Sequence, residues 1–315
     1  MSRSMAHEAV AALALARLPG VGRRRLRRLL ARAAEIRPDT AARFEAFVRA
    51  ELASPGRPAP GASDCERAWR EAAALARTCR RRGWHLWRFG APDYPAVLRR
   101  LAHPPALLFV QGATRLPQVP RLAIVGTREP TAWGEATAAE CGRAAARAGA
   151  LVVSGLARGI DTAAQSAVVE AGGATWAMLP SGLEAIYPES NRGLAARIVA
   201  TGGALVSEYW PDTRPRPAFF VARDRLQAAL ADAVLVIETG RTGGTQHTIR
   251  FARELGVPVW VAFPEDAEAT AARDAARLPE AQQGTWDLVR HGATRVAADV
   301  LPARLATLAR ADGAS

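Results

Sequence analysis

Residues 151–161 read Leu-Val-Val-Ser-Gly-Leu-Ala-Arg-Gly-Ile-Asp (LVVSGLARGID), a short run apolar on both faces, then a glycine-bearing turn, then the start of an Ala-rich helical pattern. The same texture recurs on either side, with short apolar runs at 107–110, 122–125, 175–179, 205–207, 234–237 and 259–262. Between most of them lie 10–20 residues of helical pattern. Strands without a polar face, alternating with helices, are buried on both sides, which is the mark of a parallel sheet. The expected fold is therefore α/β, a doubly wound, mostly parallel Rossmann-like sheet. Such sheets bind ligands at the carboxyl ends of their strands.

Four strand ends carry the same chemistry. Gly126-Thr127-Arg128 follows the run at 122–125, and Ser154-Gly155 leads through Arg158 and Gly159 to Asp161. Pro180-Ser181-Gly182 follows 175–179, and Gly240-Arg241-Thr242-Gly243-Gly244-Thr245 follows the strand ending at Glu238. Glycines, hydroxyls and a helix N-terminus at such turns wrap anionic oxygens, and Arg128, Arg158, Arg223, Arg225 and Arg241 add charge along the same rim. Four such turns at one sheet edge point to a phosphate site. No strand is followed by G-x-G-x-x-G, which argues against a dinucleotide.

Composition narrows the chemistry further. The 315 residues include 42 basic ones, every one an arginine, against 30 acidic ones. Without lysine the chain forms no lysine Schiff base and carries no Walker A lysine. The five histidines are scattered without metal-ligand spacing, and Ser181 does not lie in a G-x-S-x-G elbow. No catalytic residue, metal or cofactor is expected. Three widely spaced cysteines (Cys65, Cys79, Cys141), with no C-x-x-C pair, and no apolar run near the ~20 residues of a membrane span point to a cytoplasmic protein away from membranes.

The net charge of +12 lies entirely in residues 1–110, where 21 arginines face nine acids. Codon bias accounts for arginine over lysine but not for this asymmetry, which suits a lobe facing a polyanion. Helical spacing from Ala9 to Phe47, broken by Pro19-Gly20-Val21-Gly22 and resumed at Arg23-Arg24-Arg25, fits a helix-hairpin-helix or an ordinary helical hairpin. The expected divisions are a basic helical domain at 1–83 with a Pro/Gly linker at 54–63, a sheet domain at 84–298, and a short helix and tail at 299–315. A second N-terminal helix is expected over about 65–82.

Residues 93–112, 123–134 (AIVGTREPTAWG), 153–161 (VSGLARGID), 182–191 (GLEAIYPESN) and 205–209 (LVSEY), taken in order, resemble the DNA-processing protein A family (DprA, also called Smf). The resemblance spans about residues 93–295. It implies an extended Rossmann-like domain that binds single-stranded DNA, forms a homodimer and loads the RecA recombinase during transformation, as a binder and not an enzyme. Carried over by position, the implied phosphate contacts are Gly126, Thr127, Arg128, Ser154, Gly155, Arg158, Gly159, Arg223 and Arg225. The turn Thr242, Gly243, Gly244 and Thr245 joins them from the reading of the strand ends.

The chain departs from the family pattern in four places. An R-N-R run is here Arg223-Asp224-Arg225, which sets a carboxylate in the pocket unless an arginine neutralises it. The S-G-S-L-x-T-A loop is replaced by 242–248 (TGGTQHT), Gln165 stands where histidine is frequent, and a C-terminal winged helix is expected to be absent. Trp133, Tyr187 and Phe220 are candidates for base stacking or for core packing. Two other functions stay open. One is a nucleotide-binding sensor, recommended by Asp224 and the replaced loop. The other is a nucleotide phosphoribohydrolase, for which no carboxylate follows Thr245.

Overall fold

A computed structural model describes residues 3–53 and 58–312. The chain forms two compact units, Met1–Tyr94 with Ala102–Phe109, and Pro95–Leu101 with Val110–Ser315.

The first unit holds α1 (Arg3–Arg17), α2 (Arg23–Ile36), α3 (Ala41–Leu52), α4 (Ala62–Arg82) and β1 (Trp84–Arg88); the next strand, β2 (Leu107–Gly112), begins in it. Between α1 and α2 the turn closes through Leu18 and Val21 N–H bonds, with Gly20 at φ 73°. Leu13, Leu15, Leu29, Phe44 and Trp87 are fully buried in this unit. Of the expected 54–63 linker, residues 54–57 lie outside the described ones, and α4 starts at Ala62, three residues earlier than expected. Strand β1 escapes sequence reading because its buried residues, Trp84 and Trp87, are three apart and break the two-residue alternation of a strand.

The second unit continues with β3 (Arg121–Gly126), α5 (Ala132–Arg147), β4 (Leu151–Ser154), α6 (Ile160–Glu170), β5 (Thr175–Leu179), α7 (Arg192–Ala200) and β6 (Ala204–Ser207). After these come α8 (Pro217–Leu230), β7 (Ala233–Ile237), α9 (Gly244–Glu254), β8 (Val259–Ala262), α10 (Glu265–Arg273), α11 (Glu280–Arg290), β9 (Thr294–Arg295) and α12 (Leu301–Asp312). Its strands pair in the order β6-β5-β4-β3-β7-β8-β9, every pairing parallel. Two-residue periodicity sorts the side chains. Leu122, Ile124, Val152, Leu235 and Ile237 pack with Ala138 and Cys141 of α5, Ala164 of α6 and Leu301 and Leu305 of α12. Ala123, Val125, Val234, Val236 and Val261 face Ala228 of α8, Ile249 and Ala252 of α9 and Leu288 of α11. The sheet is covered on both faces, as the apolar runs require. The chain builds outward from β3 to β6 and then returns to place β7 on the other side of β3. Strands β3 and β7 therefore flank the topological switch point, where doubly wound sheets open a crevice.

Candidate functional site

A cleft of about 360 Å³ opens at that switch point. Gly126, Thr127 and Arg128 after β3 form one wall, and Thr239, Gly240 and the turn from Thr242 to Thr245 after β7 form the other. Ala157, Asp161, Phe220, Arg223, Asp224 and Gln227 also line it. A backbone bond ties the walls together, Thr127 N–H donating to the Glu238 carbonyl (2.8 Å), and Ile160 N–H at the start of α6 donates to the Thr127 carbonyl (3.2 Å). The turn after β7 ends in Gly243, φ 114°, directly before the first residue of α9, so backbone N–H groups at the helix start border the cleft.

Strand β7 ends at Ile237, one residue before the expected Glu238, which leaves the strand at φ 50° and is wholly buried. Its Oε2 accepts from Thr131 N–H (2.7 Å), and its Oε1 accepts from the Thr131 hydroxyl (2.5 Å) and from Gln282 Nε2 (2.7 Å). Thr131 in turn caps α5, its hydroxyl accepting from Gly134 N–H at 3.2 Å. One carboxylate therefore fastens α5, α11 and the turn that walls the cleft. Sequence reading missed Glu238, Thr131 and Gln282 as a group, because 107 and 44 residues separate the partners from the carboxylate.

The floor is polar and tightly partnered. Asp161, 5% exposed, accepts from Gly155 N–H (3.0 Å) and Ala157 N–H (3.3 Å), and lies 4.0 Å from Arg223 Nη1. Arg223 also reaches Asp224, Nε to Oδ1 3.3 Å. A Cβ on Gly155 would overlap the Arg223 guanidinium, so glycine there makes room for the arginine. Gly159, φ 73°, lets the chain pass close to the Thr127 and Arg128 carbonyls. Burial pushes Asp161 above the usual carboxylate range, against the pull of Arg223 and its backbone donors. Burial pushes Asp224 up to about 7, with Arg223 and Arg128 pulling it down and Asp161 adding to the rise. The Gln227 amide lies 3.0 Å from both Asp224 Oδ1 and the Gly155 nitrogen, and it satisfies both when its nitrogen is assigned to the carboxylate side and its oxygen to the N–H.

Of the thirteen expected phosphate-site residues, eight line the cleft: Gly126, Thr127, Arg128, Arg223, Thr242, Gly243, Gly244 and Thr245. Ser154 and Gly155 lie in the floor, the Ser154 hydroxyl donating to the Ile124 carbonyl (2.7 Å) and the Gly155 N–H held by Asp161. Arg158 is exposed on the loop beyond β4, next to Gly159. Arg225 points elsewhere, buried against Glu208. It is therefore Arg223, and not Arg225, that answers the carboxylate of Asp224. Gln165 is buried, accepting from Leu156 N–H and donating to the Thr175 hydroxyl (3.0 Å each). The Arg128 guanidinium stands 4.8 Å from the Phe220 ring centre, and Tyr187 meets Phe220 edge-on at 5.5 Å with 41% of its own surface exposed. Trp133 packs on the α5 side of the core.

No helix among the described residues is long and apolar enough to cross a membrane, and no group of three or more His, Cys, Asp or Glu among them is placed to hold a metal ion.

Residues 85–302 match the family described as DNA recombination-mediator protein A. Among curated relatives, a Mycobacterium tuberculosis protein that carries the DprA name is 40% identical over 204 residues, 64% of this chain and 49% of that one. Protein Smf of Synechocystis is 39% identical over 175 residues (54% and 43%), and DNA processing protein DprA of Bacillus subtilis 34% over 182 (58% and 61%). The chain spans about half the length of the curated relatives it matches. In fold it is similar to DprA of Streptococcus pneumoniae, with TM-score 0.68 at 22% identity over 96% of this chain and 97% of that one. It is also similar to DprA of Helicobacter pylori, a protein described by its single-stranded DNA binding mode, with TM-score 0.60 at 28% identity over 72% and 96%. The chain belongs to the DNA recombination-mediator protein A family, known by the names DprA and Smf.

Proposed function

We propose that this chain is a cytoplasmic single-stranded DNA-binding protein, a binder and not a catalyst, that holds a strand by its phosphates in the switch-point cleft. The observation that carries the reading is the meeting of two anion-binding walls, 126–128 and 242–245, around Arg128 and Arg223 in one crevice. The single-stranded DNA binding mode described for the Helicobacter pylori relative supports it. Arg158, exposed beside the cleft, extends the phosphate track, and the Tyr187–Phe220 pair offers an aromatic face to a base. The chain acts as a homodimer and passes the bound strand to the RecA recombinase in transformation and recombination. The arginine excess of the first 110 residues adds a second, sequence-independent contribution to affinity.

The test is fluorescence anisotropy with labelled single-stranded and double-stranded oligonucleotides at two salt concentrations. Tighter binding of the single strand that weakens as salt rises supports the reading. Equal weak binding, or none, defeats it. A joint molecule assay with RecA then tests the loading step. The cleft volume also suits a mononucleotide, and this second reading is supported by a thermal shift with nucleotides but not with oligonucleotides.

A further inference from the structure

Four charged side chains line the cleft, Arg128, Asp161, Arg223 and Asp224, and their formal charges cancel. A carboxylate beside a bound phosphate repels it, so a site with two of them must dispose of one charge when an anion enters. The two carboxylates are not equivalent. Asp161 accepts from the backbone N–H groups of Gly155 and Ala157, donors that cannot turn away, and losing its charge would weaken both bonds. Among the described residues, no backbone N–H donates to Asp224. It faces Arg223 Nε at 3.3 Å and the side-chain amide of Gln227 at 3.0 Å.

An amide can present either its N–H or its carbonyl oxygen. With its oxygen kept on the Gly155 N–H, Gln227 donates to an ionised Asp224 and equally to the carbonyl oxygen of a neutral one, leaving the new O–H free to point elsewhere. The Arg223 guanidinium stands between both carboxylates and matches a single negative charge. The surroundings of Asp224 are complete in this respect. Arg223 comes from its own helix, Asp161 from α6 and Arg128 from the turn after β3, while the wall after β7 contributes threonines and glycines. The opposed pulls of these groups and of burial bring Asp224 up to about 7, inside the range where a cell or a buffer exchanges protons with it.

We propose that the cleft takes up one proton at Asp224 when a phosphodiester enters, so that Asp224 sets the pH range over which the site accepts nucleic acid. This rests on the nucleic-acid reading above. The proton comes from solvent and bonds to a carboxylate oxygen of Asp224. The cleft then carries a net single positive charge, and the new O–H is a donor for a phosphate oxygen. On release of the strand the proton returns to solvent.

By linkage, affinity is level below about pH 7, where free Asp224 is already neutral, and falls at higher pH by up to tenfold per unit, the limit for one proton. The experiment is anisotropy with a labelled oligothymidylate at constant ionic strength from pH 5.5 to 9, on the full chain and on Asp224→Asn. Calorimetry of the wild-type chain at pH 8, in two buffers of different ionisation heat, counts the protons without relying on the variant. The expected result is a falling affinity for the wild type, a level one for D224N, and uptake approaching one proton. A wild type that binds without the slope, a D224N that keeps it, or a proton count of zero overturns the inference alone. Absence of binding by both chains at every pH overturns the nucleic-acid reading, and this inference with it.

Discussion

Replacing Glu238 tests whether one buried carboxylate organises the cleft wall. Its three donors are Thr131 N–H, the Thr131 hydroxyl and Gln282 Nε2, all at 2.5–2.7 Å, and Glu238 has no exposed surface. Glu238→Ala leaves the Thr131 and Gln282 N–H groups without that acceptor, each costing roughly 1–3 kcal/mol, with a small cavity added. The expected loss is about 3–5 kcal/mol. Glu238→Gln keeps the shape. Its amide nitrogen must face the Thr131 hydroxyl and a turned Gln282, since Thr131 N–H has a fixed direction, so the loss is about 1–2 kcal/mol. At roughly 2–4 °C per kcal/mol for a domain of this size, the melting temperature falls by about 10 °C or more for alanine and a few degrees for glutamine. Urea unfolding followed by circular dichroism, fitted as two transitions if the two units separate, measures both. A double-mutant cycle of Glu238→Gln with Thr131→Val should return a coupling of at least about 0.5 kcal/mol. An alanine variant within about 0.5 kcal/mol of wild type would refute the reasoning, because a carboxylate that fastens three elements cannot be dispensable.

Arg128→Ala should weaken oligonucleotide binding and lower the slope of log K against log salt by about 0.7, one single-strand phosphate contact; Arg158→Ala, outside the cleft, should act in the same direction and less. Gly155→Ala sets a methyl where the Arg223 guanidinium lies, so affinity should drop together with stability, read from anisotropy and thermal melting. Asp224→Asn should raise stability at pH 8 by about 1–3 kcal/mol and leave it near wild type at pH 4. The sign follows from a folded value near 7 against about 3.9 unfolded: the folded state binds more protons between these limits, so wild-type stability falls as pH rises through them. Arg70, Arg77 and Arg81, all exposed and near one face of α4, changed together to Gln, should flatten the salt dependence of binding while shifting the melting temperature little, and an unchanged slope would remove that helix from the interface.

What was legible in the sequence was whatever depends on near neighbours. Strands β3 to β8 show as apolar runs because both their faces are buried, and each glycine-bearing turn shows because it lies directly after its strand. Strand β9, two residues long with neither one buried, leaves no such trace. The site was legible as separate pieces. That the turns at 126 and 242 wall one cleft follows from β7 pairing with β3, a contact across more than a hundred residues that no local pattern encodes. The direction of a side chain was equally out of reach. Arg223 and Arg225 are two residues apart on α8, and the helical advance of about 200° sends one to Asp161 and the other to Glu208. Asp224 was visible as a misplaced charge, but its neutral partner Gln227, one helical turn on, was not.

The same pairing of β3 with β7 dictates an order of events during synthesis. Strands β3 to β6 leave the ribosome before β7 and can pair side by side as they emerge, each next to its predecessor. One edge of β3, with its unpaired N–H and carbonyl groups, stays bare until β7 and its helix have been made. Until then the first wall of the cleft exists without the second. A nascent chain therefore lacks the assembled cleft, however basic its leading segment, and both walls are present only once the return strand docks. A stalled or truncated product ending before residue 233 would expose a β-edge in place of a site, an edge open to pairing with another copy.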